Sequence, residues 1–335
     1  MSIIRYAGLM FVVGGGSTRE HIDAVVHLAA RAWYSQRTRS GHTRRQITPS
    51  KGRSTMVTGN RARLRRRTYL IALILAVASL LAALGMAGAA AANSSPSGGV
   101  KPTVVLVHGD WADGSSWSAV IERLQHRGYT VVAPPNPLRG PTEDSAYLAS
   151  YLHTISGPIV LVAHSYGGFV ITNAATGIAN VKALVYIDAF IPDANQTLID
   201  LADGSCVDPN TAFNAVPFSG GVDLYLRTAA NPPYPGFSQC FANGVNPTQT
   251  AVLAAVQRPA TLNQFFEPSG PPAWKTIPSW SLIGTADHVI PPAQQQAMSS
   301  NAGAQISTVN AGHLSLITDP EAVTKIIVAA ADAAT

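Results

Sequence analysis

From Lys101 onward, short β-branched apolar runs alternate with stretches in which apolar residues recur every three or four positions. That pattern predicts an α/β fold: a mainly parallel sheet with helices on both faces. The runs are Thr103–Val107, Tyr129–Ala133, Ile159–Ala163, Ala183–Ile187, Trp280–Ile283 and Ile306–Val309, which gives six parallel strands. Trp117, Val120, Ile121 and Leu124 stand at helical spacing and predict a helix that stops at Gly128. Ala146, Leu148, Leu152 and Ile155 predict the next crossover, and a last helix is expected from about Pro320 to Ala333. The interval 192–278 breaks the rhythm. It is too long for a simple crossover and is rich in Pro, Gly, Asn and aromatic residues, so it reads as a cap inserted into a domain that spans 101–335.

Charge separates this domain from what precedes it. Residues 1–92 hold fourteen Lys or Arg against two Asp or Glu, whereas residues 93–335 hold nine against sixteen. The basic balance therefore belongs to the leader, and the mildly acidic remainder does not support a nucleic-acid-binding face. Within 56–92, Arg61, Arg63, Arg65, Arg66 and Arg67 precede an uncharged apolar run from Tyr69 to Ala92, followed by a polar linker over 93–100. This order is that of an export signal, with small residues at Ala89–Ala92 for cleavage and a partial twin-arginine string at Arg66-Arg67. The general secretory route fits equally well. The run is also long enough to remain as a membrane anchor, the one membrane contact expected. Met56 fits as the start of translation, which leaves 1–55 as a non-native or disordered extension. The expected location is thus secreted or in the cell envelope, an oxidising setting in which Cys206 and Cys240, the two cysteines, fit a disulfide.

Candidate chemistry concentrates in four short strings. In Ile159–Val170, an apolar strand runs into Ala163-His164-Ser165-Tyr166-Gly167 and then into a helix. This is the arrangement of a nucleophile elbow, in which a serine on a sharp turn needs small residues two places before and after it. Alanine replaces the usual glycine at 163. A serine hydroxyl needs a base to accept its proton, and the base needs a carboxylate to fix its tautomer. His313, just after the last predicted strand, is the expected base. Asp287, after the Trp280–Ile283 strand, is the expected acid, with Asp188 as its rival. His288 reads as a loop residue.

Attack on an ester carbonyl places negative charge on its oxygen, which preorganised donors must meet. The turn Val107-His108-Gly109-Asp110-Trp111 suits this role, with the backbone N–H groups of Asp110 and Tyr166 as the expected donors. The Asp110 side chain is harder to place, because a carboxylate beside a developing oxyanion opposes it unless it points away, to solvent or the cap. Trp111 is a candidate wall of the substrate pocket, and Trp117 reads as core.

The strings VLVHGDWADGSSW, LVAHSYGG, GTADHVIPP and AGHLS resemble those of compact bacterial esterases of the α/β-hydrolase fold, related to plant methyl esterases and hydroxynitrile lyases. The resemblance runs from about Lys101 to the carboxy terminus and implies the fold, the Ser165–Asp287–His313 triad and the oxyanion turn. In the lyases, a lysine follows the histidine and a threonine stands after the histidine of the turn. Here those places hold Leu314 and Gly109, which favours hydrolysis. The expected activity is cleavage of a small carboxylic ester through an acyl-enzyme. The alternatives are a cofactor-free perhydrolase or haloperoxidase-type activity, or a ligand-binding receptor on the same fold. No metal-ligand cluster, phosphate loop or dinucleotide fingerprint is seen, so neither metal nor cofactor is expected.

Overall fold

The computed structural model describes residues 2–6, 9–13 and 100–334; the expectations for a leader, its cleavage and the linker up to 99 lie outside them. Near the amino terminus β1 (Ser2–Tyr6) pairs antiparallel with β2 (Leu9–Val13), a pairing the sequence pattern had not suggested.

The main sheet consists of β3 (Thr103–Val107), β4 (Val131–Val132), β5 (Ile159–His164), β6 (Val181–Ile187), β10 (Ser279–Gly284) and β11 (Gln305–Val309), in the order β11-β10-β6-β5-β3-β4. Every pairing is parallel, as the apolar runs predict. The central strand β5 is buried along its whole length, which is why it reads as a continuous apolar run rather than an alternating one. Val160 lies between Val104 and Ala183, and Val162 between Leu106 and Val185. Each such side chain contributes about 1.5–3 kcal/mol through burial. The edge strand β4 is shorter than expected. Pro134 and Pro135, which follow it, have no N–H to extend the ladder.

Helices α1 (Ser118–His126) and α9 (Pro320–Ala333) pack together, as do α2 (Pro141–Leu152) and α3 (Gly167–Ala174). Gly128, with φ 76°, ends α1 in the left-handed conformation that glycine adopts without a steric penalty. Ile155 falls beyond the end of α2. The remaining crossover helix of the sheet, α7 (Pro292–Asn301), packs on β10 and β11.

Between β6 and β10 the chain builds α4 (Leu198–Leu201), a hairpin of β7 (Phe213–Phe218) and β8 (Gly221–Leu226), α5 (Phe237–Cys240), α6 (Pro247–Val256) and the short β9 (Ala260–Thr261). The order β7-β8-β9 forms a second, antiparallel sheet. The sequence reading gave this segment no strands. The hairpin is short and interrupted by Pro217, and most of β7 is not buried, so it lacks the apolar signature used to find the others. Cys206 and Cys240 are joined by a disulfide, Cα–Cα 5.7 Å. The bond ties the loop after α4 to α5.

Candidate active site

The strand β5 ends at His164 and α3 begins at Gly167, so the chain must reverse within two residues. Ser165 sits on that turn with φ 54°, a left-handed conformation that costs a non-glycine residue about 1–3 kcal/mol. Backbone hydrogen bonds hold it there: Ser165 N–H donates to Ile187 O, and Ser165 O accepts from Gly168 N–H and Phe190 N–H. Glycine is required around it. A Cβ on Gly167 would lie 2.8 Å from Val107 O, one on Gly109 would lie 2.6 Å from Ser165 Cβ, and one on Gly168 would collide with the Phe190 carbonyl. Ala163, fully buried two places before the serine, fits the space that glycine more often fills.

The loops after β10 and β11 bring two further side chains to the serine. His313 Nε2 lies 3.0 Å from Ser165 Oγ, and His313 Nδ1 lies 2.8 Å from Asp287 Oδ2. Asp287 Oδ1 accepts from the Val289 and Ile290 N–H groups at 2.8 and 3.0 Å, while Oδ2 also accepts from Gln295 Nε2 at 2.7 Å. Those three donors are fixed as donors, so Oδ2 is the acceptor toward His313 and the imidazole carries its proton on Nδ1. Its Nε2 lone pair then faces the serine hydroxyl. Burial lowers the His313 pKa to about 3, which keeps the ring neutral and able to accept a proton. Burial raises Asp287, against the pull of the Ile290 and Val289 amides and of Gln295. Gln295, on α7, was not singled out from the sequence; a lone glutamine in a polar helix gives no chemical signal.

Asp188, the rival acid, makes no hydrogen bond to His313. Its Oδ1 accepts from Gly284 N–H at 2.7 Å, and its Oδ2 accepts from the N–H and hydroxyl of Ser315. It therefore ties the end of β10 to the start of α8 (Ser315–Thr318), bracketing the loops that carry Asp287 and His313. Beneath the site, His164 is buried and kept neutral by desolvation. Its Nε2–H donates to His313 O at 2.8 Å. His288 is exposed and contacts the cap carbonyl of Gln239.

The proposed oxyanion donors stand on two tethered backbones. Tyr166 is buried, and its hydroxyl donates to Asp144 Oδ2 at 2.7 Å. In the turn after β3, Asn136 N–H donates to His108 Nε2 and Asn136 Nδ2 donates to His108 O, each at 3.0 Å. Burial lowers His108 to about 4, so the ring stays neutral and donates through Nδ1 to Gly109 O. Among the described residues, neither the Asp110 nor the Tyr166 N–H has a protein acceptor, and Tyr166 stands at the amino end of α3.

A cavity opens above Ser165 and encloses about 1070 Å³ of space including its mouth. Asp110, Trp111, Ser165 and Phe190 line it from the sheet, and Leu198, Val207, Phe213, Leu224, Leu262 and Phe265 from the cap. Trp111 is anchored by Nε1–H donation to Leu224 O at 2.9 Å and stands edge-on to Phe241, 5.7 Å between centroids. Phe241 in turn packs against the His313 ring at 5.5 Å. Trp117 is buried in the core. The Asp110 carboxyl does not point to solvent: it is buried against the cap, with Gln264 Nε2 donating to its Oδ2 at 2.7 Å. Gln264 carried no signal in the sequence.

A parallel sheet with a serine elbow at its carboxyl edge, a histidine and an aspartate on the two following loops and a cap over the cavity define an α/β-hydrolase-type architecture. The model of the alpha/beta hydrolase family matches residues 104–326, and the chain belongs to that family. It is 33% identical over 110 residues to the carbendazim hydrolyzing esterase of Nocardioides sp. (strain SG-4G), a match that covers 29% of this chain and 46% of that esterase. It is 24% identical over 249 residues to alpha/beta hydrolase nvfD of Aspergillus novofumigatus (strain IBT 16806), covering 68% of this chain and 96% of the relative. The crystal structure of a pyrethroid hydrolase from Sphingobium faniae JZ-2 has the same fold, with TM-score 0.54 and 21% identity, covering 69% of this chain and 98% of the other.

Proposed function

We propose that this protein is a serine hydrolase that cleaves a small carboxylic ester. The observation that carries the reading is the continuous path from Asp287 Oδ2 through His313 to Ser165 Oγ, with steps of 2.8 and 3.0 Å, at the floor of the capped cavity. Ser165 Oγ attacks the ester carbonyl carbon while its proton passes to His313 Nε2. The carbonyl oxygen gains the negative charge and meets the Asp110 and Tyr166 N–H groups. Collapse breaks the bond to the alcohol oxygen, which leaves with the proton from His313, and Ser165 is acylated. Water then attacks the acyl-enzyme and gives a proton to His313. Breakdown of the second intermediate releases the acid and returns the proton to Ser165. The acyl or alcohol portion packs against Trp111, Phe213 and Phe265. The disulfide between Cys206 and Cys240 supports an exported location, since such bonds persist in oxidising compartments.

The test is hydrolysis of p-nitrophenyl esters from acetate to palmitate by wild type and Ser165→Ala. The expected result is turnover that falls at least about a thousandfold in the variant, with Ser165 labelled by a fluorophosphonate in the wild type. Turnover unchanged in Ser165→Ala, or failure of both turnover and labelling in folded protein, refutes the reading.

A further inference from the structure

One short stretch of the cap, from Gln239 to Asn243, touches both loops that bring side chains to Ser165. Gln239 O accepts from Nδ1–H of His288, the residue after Asp287, at 2.9 Å. Cys240 is bonded to Cys206, whose N–H donates to His288 O at 2.8 Å. The Phe241 ring packs on that of His313. Asn243 reaches furthest. Its Nδ2 donates at 2.7 Å to O of Ala286, the residue before Asp287. Its backbone O would lie 2.5 Å from a Cβ placed on Gly312, the residue before His313. Ala286 O can only accept, so the NH2 of the amide faces it and Oδ1 is turned against Gly312. There Oδ1 is buried with no hydrogen-bond partner among the described residues. An unpaired buried acceptor carries a desolvation cost, which an apolar side chain of the same size would avoid, so filling space does not by itself account for an asparagine here.

We propose that Asn243 is a positioning residue for the catalytic pair, setting from the cap the separation of the loops that hold Asp287 and His313; this rests on the ester-hydrolase reading above. Ladder pairing joins β10 to β11 as far as Gly284 and Val309, and Ala286 N–H adds a bond to Ala311 O at 3.0 Å. Beyond that point Asn243 takes the place of a further crosslink, hydrogen-bonded to one loop and packed against the other. The 2.8 Å step from His313 Nδ1 to Asp287 Oδ2 and the 3.0 Å step from Nε2 to Ser165 Oγ both depend on that spacing. A shift of about 1 Å in a catalytic group lowers the rate by about a hundredfold. Asn243, Ala286 and Gly312 do not line the cavity, so a change at Asn243 acts on kcat and leaves KM in place.

The experiment compares wild type, Asn243→Leu, Asn243→Ala and, as a control within the cap, Gln257→Leu. Leucine keeps the size of asparagine and removes its amide. Gln257 hydrogen-bonds to the N–H and O of Leu226, so its loss loosens the cap itself. With p-nitrophenyl acetate, both Asn243 variants are expected to lose about ten- to a hundredfold in kcat with KM within about twofold, while Gln257→Leu keeps kcat within about threefold. The second readout is the proton resonance of His313 Nδ1–H, identified as the downfield signal that Asp287→Asn abolishes. It is expected to shift or broaden in the Asn243 variants and to stay unmoved in Gln257→Leu. An unmoved resonance in folded Asn243→Leu overturns the inference, as does an equal loss of kcat in Gln257→Leu; if the leucine variant does not fold, Asn243→Ala carries the same comparison. Absence of both hydrolysis and fluorophosphonate labelling in folded wild type refutes the esterase reading instead, and the resonance alone then decides the role of Asn243.

Discussion

Replacing Asp287 by Asn removes one charge and reverses one hydrogen bond, and the surroundings of the carboxyl decide which. Oδ1 faces two backbone N–H groups, from Val289 and Ile290, so the amide oxygen of Asn must take that place. Its NH2 is then forced into the Oδ2 place, where it meets His313 Nδ1 and the Gln295 Nε2 donor. Nδ1 becomes an acceptor, the imidazole proton moves to Nε2, and the ring presents N–H rather than a lone pair to Ser165. The base is lost while the nucleophile and the oxyanion donors stay in place. Loss of the correct tautomer in a serine triad lowers kcat by about 10⁴, and the expectation here is about 10³–10⁴, or about 4–5.5 kcal/mol of barrier. The assay is steady-state hydrolysis of p-nitrophenyl acetate with Asp188→Asn alongside. At Asp188 all three contacts are donors to the carboxyl. An amide there therefore loses one bond and costs about 1–3 kcal/mol of stability, with kcat expected within about tenfold of wild type. If instead Asp188→Asn loses the larger part of kcat and Asp287→Asn stays within tenfold, the assignment of the acid is wrong.

Other outcomes follow from single features of the structure. Replacing both Cys206 and Cys240 by Ala opens a loop of 34 residues, for which chain entropy gives a loss of about 4 kcal/mol; urea unfolding should show it, and a loss below about 1 kcal/mol would contradict a tethering role. Gly168→Ala drives a methyl into the Phe190 carbonyl and should lower stability by at least about 1–3 kcal/mol; an unchanged melting temperature would show that the elbow has slack. With His313 held near 3 the base stays neutral well below pH 6, while Asp110, protonated below about 7, becomes a carboxylate beside the oxyanion above it. Ionisation of Asp287, raised to about 8, acts in the opposite direction, so the Asp110 contribution is read from the ratio of wild type to Asp110→Asn on a plain ester, which should be level on the acid side and fall as pH rises through about 7. A ratio that climbs between pH 6 and 7 would refute that sign.

Five of the six strands were legible because they are apolar enough to stand out from their surroundings, and β11, largely exposed, through its β-branched residues; Ser165, Asp287 and His313 were legible because each follows one of these strands. Their meeting is a consequence of parallel order, which brings every strand's carboxyl end to one edge. The hairpin of β7 and β8 was not legible. Its outward face carries Asn214 and Val216 without burial, so no periodicity separates it from a loop. Gln295 and Gln264 were invisible for a different reason. They act by completing a carboxyl's hydrogen bonds, a task set by distances across 8 and 154 residues of chain rather than by any local pattern. Asp110 was legible as a position and only partly as an environment: the turn predicted its N–H and left its carboxyl to solvent or the cap, and the carboxyl turned to the cap.

Among the described residues four carboxyls are buried; besides Asp144, which holds the Tyr166 hydroxyl, three follow strands at this edge of the sheet, and their donors assign them different duties. Asp287 receives two backbone N–H groups, the Gln295 amide and His313 Nδ1–H, enough to keep both oxygens occupied and the carboxyl fixed against the His313 ring. Asp188 receives two N–H groups and one hydroxyl, all from backbone or from Ser315, and is spent on joining loops. Asp110 receives the Gln264 amide alone. Burial acts upward on all three, taking Asp110 to about 7, Asp287 to about 8 and Asp188 well above the usual carboxylate range, so burial outweighs the number of donors. Of the three, Asp110 has the fewest donors and alone lines the cavity. A group built only for stability would have the opposite balance, because replacing it with an apolar residue of similar size would remove the desolvation penalty altogether.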